Sequence, residues 1–471
     1  MMEMRTTICN LFIAVLMFVF PFALFGQSGK PEIFGVDKFI EQVKQFHPLA
    51  KQAGILVSMA EANLLSAKGN FDPSLNIEAD RKTFDGKNYF FHTDPEITVP
   101  LPVGNLRAGL ENNGGDNLFS EYTRGKSSYA GLELPLARGL LLDKRRAALQ
   151  QARLYKNQSQ QEQLQMLNDL LLDAYTSYWQ WSYAWQRYQL YDQFIHLAEN
   201  RLRLIRIAFQ QGDKSAMDTV EASAQLQTYL LGLADAQIMK NNTALVLSNF
   251  LWTDQDTVWN LPANYQPDTN SDPSRLDFVV PEELISVSDA LNPQLKAYEL
   301  KIKGLEIDQR LKAQNLLPYL TLKGNILYKD YYVFKSIDPG YIQNNYKWGI
   351  SFSMPLFLRN ERGNYQQSKL KLKDAGYGLS LKKQQINSKI RSYAMEANLM
   401  ANQLQTLNKM EGQYRYLLQN ETLKYTQGES SLFMVNSRES KLMDLLQKRI
   451  ETNIKFLKAK YAAQWAAGSL R

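Results

Sequence analysis

From Leu164 to Phe209 an apolar or small side chain recurs at steps of three and four: Leu164, Leu167, Leu171, Ala174, Tyr178, Trp181, Trp185, Tyr188, then Tyr191, Ile195, Ala198, Leu202, Ile205 and Phe209. Such a seam needs a helix lying lengthwise against another helix. One step is irregular: at Tyr188 to Tyr191 a second three follows a three, which locally overwinds a supercoil. The run ends at Gln211-Gly212-Asp213. A helix reaching this glycine from near Asp143 extends roughly 100 Å at about 1.5 Å per residue. No compact domain needs such an element, so the fold must be elongated.

The chain has 471 residues, 45% of them apolar, ample for a buried core. Its net charge of +7 is spread along helical faces beside Glu and Gln, which reads as solvated surface and gives no nucleic-acid footprint. Cys9 is the only cysteine, and His47, His92 and His196 lie far apart, so the sequence offers no metal cluster. Arg5 precedes an apolar run from Leu11 to Phe25, followed by Gly26-Gln27-Ser28. This reads as a secretory signal peptide over residues 1–27, with a membrane anchor of marginal length as the alternative. Cys9 precedes the apolar run, where a lipoprotein acylation site would not be. With no other stretch apolar enough for a transmembrane helix, any further crossing must be made by strands.

The two halves repeat. His47-Pro48 is separated from Pro73 by the same length of chain that separates Asn292-Pro293 from Pro318. A helical pattern fills each interval, and each second proline opens a two-faced strand. Leu75, Ile77 and Ala79 alternate with Asn76, Glu78 and Asp80, while Leu320, Leu322 and Ile326 oppose Thr321, Lys323 and Asn325. A second strand precedes Pro135 in the first half (Ala130, Leu132, Leu134) and Pro355 in the second (Trp348, Ile350, Phe352, Met354). The first half carries extra residues between its strands, within Thr83 to Ser127, which read as a long loop, with an added hairpin as the alternative. In the second half the connection holds Tyr328, Tyr331, Tyr332, Phe334, Tyr341, Tyr346 and Trp348, a set suited to a membrane-interface girdle or to a soluble aromatic patch.

A long helix follows each second strand. In the second half its seam runs Ile386, Ile390, Tyr393, Ala397, Met400, Leu404, Leu407, Met410, Tyr414 and Leu417, again with one doubled three, and ends at Gly428. Beyond each glycine the pattern resumes, through Val220, Ala224, Leu231, Ala234, Ile238 and Leu245, and through Leu442, Leu446, Ile450, Ile454 and Leu457. The organisation is a first repeat over 28–252, a linker over 253–281 in which Thr257-Val258-Trp259 reads as a short strand, and a second repeat over 282–471.

Four strands cannot close a membrane barrel alone, so the chain must oligomerise to span. Two copies give eight strands with a filled interior, and three give twelve with a lumen. In its tandem repeat, its Asn-Pro or His-Pro helix starts, the prolines Pro73 and Pro318, the Leu134-Pro135-Leu136 and Met354-Pro355-Leu356 strand ends and its glycine-centred turns, the chain resembles the TolC-like outer membrane efflux family over nearly its whole length. The resemblance implies a mostly α fold with a small transmembrane β portion: a long antiparallel coiled-coil α-barrel plus four strands per protomer, closing as a twelve-stranded barrel in a homotrimer. It implies an exit duct in the Gram-negative outer membrane with a periplasmic extension, docked through its helical tips on a periplasmic adaptor protein and an inner-membrane pump of RND or ABC type.

The tip candidates carried over are Gly212, Asp213 and Asp218 in the first half and Gly428, Glu429 and Ser431 in the second. In that family an acidic residue close after each glycine rings the periplasmic entrance. Asp218 fits, whereas Met434 stands in the second half. Asp218 reads equally as an ordinary residue near a helix start, favourable to the helix dipole. The glycines have a plainer reason, since a reversal between helices needs positive φ. Trp179, Trp181 and Trp185 read as packing residues.

The competing reading is a periplasmic coiled-coil adaptor, which predicts one hairpin flanked by compact β domains. An enzyme is not indicated. No paired carboxylates with a base, phosphate loop or Ser/His/Asp set is present, and no cofactor is implied.

Overall fold

The computed structural model describes residues 32–269, 278–331 and 344–470. The expected leader with Cys9, part of the linker, and Tyr332, Phe334 and Tyr341 lie outside the described residues.

The first half runs β1 (Glu32–Phe34), α1 (Val36–Phe46), α2 (Pro48–Gly69), β2 (Ser74–Phe84), β3 (Lys87–Pro100), β4 (Asn105–Gly114), β5 (Gly125–Pro135), α3 (Lys144–Gln210) and α4 (Ala216–Ser248). After β6 (Tyr265–Pro267), the second half runs α5 (Pro281–Leu291), α6 (Pro293–Gln314), β7 (Tyr319–Lys329), β8 (Tyr346–Ser353), α7 (Arg359–Thr426) and α8 (Leu432–Ala467). The paired prolines explain the matched starts. Pro48 and Pro293 occupy the first helical position of α2 and α6, where the missing N–H costs nothing. The residue before each caps the helix: His47 Nδ1 accepts from the Leu49 amide at 3.2 Å, and Asn292 Oδ1 from the Gln294 amide at 2.9 Å. Both helices are 22 residues long, and Pro73 and Pro318 immediately precede β2 and β7. Pro135 closes β5, and Pro355 follows β8.

Helix α3 has 67 residues and spans about 100 Å. It packs along α4, α2, α6 and α8, while α7, of 68 residues, packs along α8 and α6. The seam of α3 is buried from Leu171 to Trp181 and again from Ile195 to Ile205. Between them Trp185, Tyr188 and Tyr191 are half-buried. At the irregular step the Tyr191 ring occupies the place a Cβ on Gly232 of α4 would need, only 2.1 Å away, so a glycine opposite lets the overwound turn pack. The main core sits midway along α3. There Tyr178, Trp181 and Leu171 meet Phe39, Leu247 and Leu251, and the Tyr178 hydroxyl donates to the Phe34 carbonyl at 2.8 Å. The parallel pair β1–β6 roofs this core through Phe34 and Tyr265. Thr257-Val258-Trp259 forms, in place of the expected short strand, the isolated bridge Trp252–Val258.

The strands depart from expectation. A single antiparallel sheet has the order β2-β3-β4-β5-β7-β8, so among the described residues the chain contributes six strands where four were expected. The added pair is β3–β4, within the segment read as a loop. Its residues carry the two-faced alternation (Asp94, Glu96 and Thr98 against Pro95, Ile97 and Val99), but glycine and asparagine at its joints conceal it. Three copies therefore cannot make a twelve-stranded barrel from this sheet.

Candidate functional site

Strand register sorts the sheet into two chemically distinct faces. One cross-strand row reads Leu75, Ile97, Ala108, Ala130, Ile326 and Tyr346, and the next apolar row reads Val99, Leu106, Leu132, Gly324 and Trp348. Among the described residues no helix covers this face: Ile77, Trp348 and Phe352 are each 66% exposed. Among the described aromatics of the expected girdle, Tyr328, Tyr346 and Trp348 share it.

The opposite face is polar and internally bonded. Glu96 accepts hydrogen bonds from the Tyr129 hydroxyl at 2.6 Å and from Thr98 at 2.8 Å, and pairs with Arg107. Tyr129 also approaches Asp94 at 3.1 Å, and Glu133 faces Arg107 and Lys323. Every carboxylate named here has a donor nearby, which a chargeable wall facing water requires. Apolar out and polar in, with period two along every strand, is the arrangement of a barrel wall between lipid and water. Both lateral strands, β2 and β8, are exposed along their whole lengths. Among the described residues, their outer hydrogen-bonding edges have no strand beside them. Open edges of this length demand a partner. Among the described residues no helix is long and apolar enough to cross a membrane.

At the far end of the helices the two hairpin turns come together. Gly212 and Gly428 adopt φ of +85° and +80°. In both turns the glycine amide and the next one close the same pair of bonds: Gly212 to the Phe209 carbonyl and Asp213 to Ala208, Gly428 to Tyr425 and Glu429 to Lys424. This satisfies the last carbonyls of each helix. Lys214 of the first turn lies 4.2 Å from the Tyr425 ring at the end of α7, and Leu202, Ile205 and Ala222 share a cluster with Leu432. Asp218 is engaged locally. Its carboxylate accepts from the Ser215 amide and hydroxyl, and its amide donates to Ser215 Oγ at 3.1 Å, a complete capping box. Ser431 caps α8 through the Met434 amide alone, because methionine has nothing to return.

Sequence reasoning missed the polar tie behind the tips. Glu439 of α8 is buried, pairs with Arg201 of α3 and accepts from the Tyr229 hydroxyl of α4 at 3.1 Å. Arg201 also donates to Asn436 at 2.9 Å, and Asn436 to Glu221. Burial, and then the charge of Glu439, push the Tyr229 hydroxyl well above its ordinary range, so it remains a neutral donor. Only Tyr229, an aromatic among alanines on α4, hinted at this contact. No metal-holding group occurs among the described residues.

No family model matches the sequence, and no curated protein matches it. Solved structures do. The channel CusC aligns at TM-score 0.66 and 13% identity, covering 92% of this chain and 91% of that one. The Campylobacter jejuni CmeC outer membrane channel aligns at TM-score 0.63 and 14% identity, over 92% and 85%. The open state of the Neisseria gonorrhoeae MtrE outer membrane channel aligns at TM-score 0.65 and 14% identity, over 93% and 89%. The likeness covers 92–93% of this chain, and at this identity it is a likeness of fold.

Proposed function

With the fold of outer membrane efflux channels as the premise, we propose that this chain is an outer membrane exit duct. Copies of its sheet close a barrel in the membrane, and its helical hairpins extend that barrel as a tunnel through the periplasm of a Gram-negative cell. The observation that carries the reading is the uncovered apolar face of a sheet whose two edges are both open. Because the strand number is even and all neighbours are antiparallel, β8 of one copy meets β2 of the next in the antiparallel sense. Ring closure therefore needs no parallel junction.

Two copies would supply twelve strands and three would supply eighteen, both enough to leave a lumen. The strand count no longer selects between them, and three copies are favoured by the resemblance to the TolC-like family. The helices support self-association independently. In the helical pattern of α4 that runs through Val220, Ala224, Leu231, Ala234, Ile238 and Leu245, the large apolar residues Val220, Leu231, Ile238 and Leu245 are each at least 60% exposed. On α7, Leu381, Met395, Tyr416 and Leu423 fall on a second exposed heptad lattice.

The tips, with Gly212, Asp213, Gly428, Glu429 and Ser431, are proposed as the docking end for a periplasmic adaptor and its RND or ABC pump. Asp218, held in its capping box, serves the helix start first and an entrance ring only through its remaining carboxylate oxygen. The adaptor reading is disfavoured by two hairpins where it predicts one. Outer membrane fractionation followed by mass measurement in detergent tests the proposal: a trimer is expected, and a soluble monomer overturns it.

A further inference from the structure

The connection between β4 and β5, residues 115–124, does not extend away from the sheet but folds back across it. Its first amides continue alongside β3, Asp116 donating to the Asn88 carbonyl at 3.0 Å and Asn117 to Tyr89 at 2.8 Å. It then reverses. The Phe119 ring packs on Phe90 at 5.4 Å between centroids, and Tyr122 lies over His92 at 4.4 Å with the planes 30° apart. The Asn113 side chain donates to the Thr123 carbonyl at 3.2 Å, and the Arg124 guanidinium to Gly115 at 2.8 Å, closing the base of the loop.

The face it crosses is the polar one. His92 alternates in phase with Asp94 and Glu96, and its ring bonds to the Asn113 side chain, which is in phase with Glu111 and Arg107. His92 and Asn113 are 5% and 1% exposed beneath the loop. The carboxylates of Glu78, Asp80 and Glu111 stand on that same face of the sheet. The fold-back is built into the backbone. Gly115 has φ of +118°, and a Cβ there would stand 2.6 Å from the Phe90 Cα and the Tyr89 carbonyl, so no other residue fits.

We propose that this loop is an inward-folded constriction of the outer mouth, and that Phe119, Glu121 and Tyr122 are the side chains that set the size of solute able to leave. The inference rests on the reading that the polar face lines the lumen. Phe119 is 57% exposed although packed on Phe90, so it presents an aromatic face to whatever passes. Each copy in the ring would contribute one such loop, narrowing the wide lumen that six strands per copy create.

Unitary conductance of the purified full-length protein in planar bilayers tests this. Replacing residues 117–122 by two glycines should raise conductance by about twofold. As a probe that deletes nothing, Ser120→Cys in a Cys9→Ser background should lose current stepwise when a bulky charged thiol reagent is added on the outer side. Unchanged conductance in the shortened channel, or in a Ser120→Cys channel whose labelling is verified by mass, overturns the constriction while leaving the duct intact. A wild-type protein that forms no channel overturns both.

Discussion

The two halves of the chain are copies in their helices and diverge in their strands. Helices α2 and α6 have equal lengths, and α3 and α7 differ by one residue, yet the first half carries four strands of the sheet and the second, among described residues, two. Helix length is constrained because both hairpins must join the same two levels, sheet and tip. A strand pair is less constrained. An antiparallel hairpin inserted between β2 and β5 preserves the direction of every other strand and leaves both sheet edges where they were. Duplication followed by insertion is therefore permitted in the sheet and excluded in the hairpins.

The returning helices differ as well. Helix α8 buries its seam of Leu442, Leu446 and Ile454, whereas α4 buries Ala222, Tyr229 and Ala236 and leaves its apolar heptad outside. The largest expected effect separates these two. Leu446→Ala should destabilise the protomer by about 2–5 kcal/mol, and Leu446→Glu should prevent it from folding. Ile238→Glu should leave secondary structure unchanged by circular dichroism but convert the oligomer to monomer in detergent. A monomeric, folded Leu446→Glu protein would break the distinction.

Next in size is the tie between the halves. Glu439→Ala strands the Arg201 charge and removes the acceptor of Tyr229, at a cost of about 3–5 kcal/mol for a broken buried pair. A thermal melt should show the loss, whereas Glu429→Ala in the exposed turn should be silent. Equal melts would place the tie outside the stability of the hairpins.

The tips themselves should differ by about 1 kcal/mol, the worth of a helix cap. Asp218→Ala should speed amide exchange in the first turn of α4, and Met434→Asp should slow it in the first turn of α8 by completing the second capping box. In bilayers, Asp218→Ala separates an entrance ring from a cap: a ring changes cation blockade, while a cap alone leaves it untouched.

The smallest effect lies at the matched helix starts. Burial pulls the His47 pKa below its ordinary 6.5, and the ring accepts the Leu49 amide, which only its neutral form can do. Because the folded pKa is depressed, this stabilisation is present above about pH 6.5 and is lost as pH falls through the lower folded value. Asn292, in the same position of the second half, does not titrate. His47→Asn should therefore abolish a shift in melting temperature of a degree or two between about pH 7 and pH 5, corresponding to less than about 1 kcal/mol. A shift that persists would assign it to other groups.

Much of this architecture is legible in the residues. Pro48 and Pro293, Gly212 and Gly428, and the central seam of α3 act through local geometry, fixed φ, positive φ and helical period, and each stands in the structure where its spacing put it. Strands β3 and β4 were legible in principle through Asp94, Glu96 and Thr98, but Asn112-Asn113-Gly114-Gly115 reads as a loop because the same residues that end a strand also build turns. The fold-back of residues 115–124 and the Arg201–Glu439 pair were not legible, since each depends on groups that only the folded chain brings within reach.

By itself, then, the sequence determined a duplicated helix, strand and hairpin unit, an elongated shape and a sheet with one apolar face, because period and punctuation act over a few residues. The tertiary structure alone decided which of the two stripes on α4 turns inward. Both stripes obey a heptad. Ala222 and Ala236 permit close helix approach, and Tyr229 finds Glu439 waiting on α8, so the small, polar-tipped stripe is buried within the chain and the larger apolar one stays exposed.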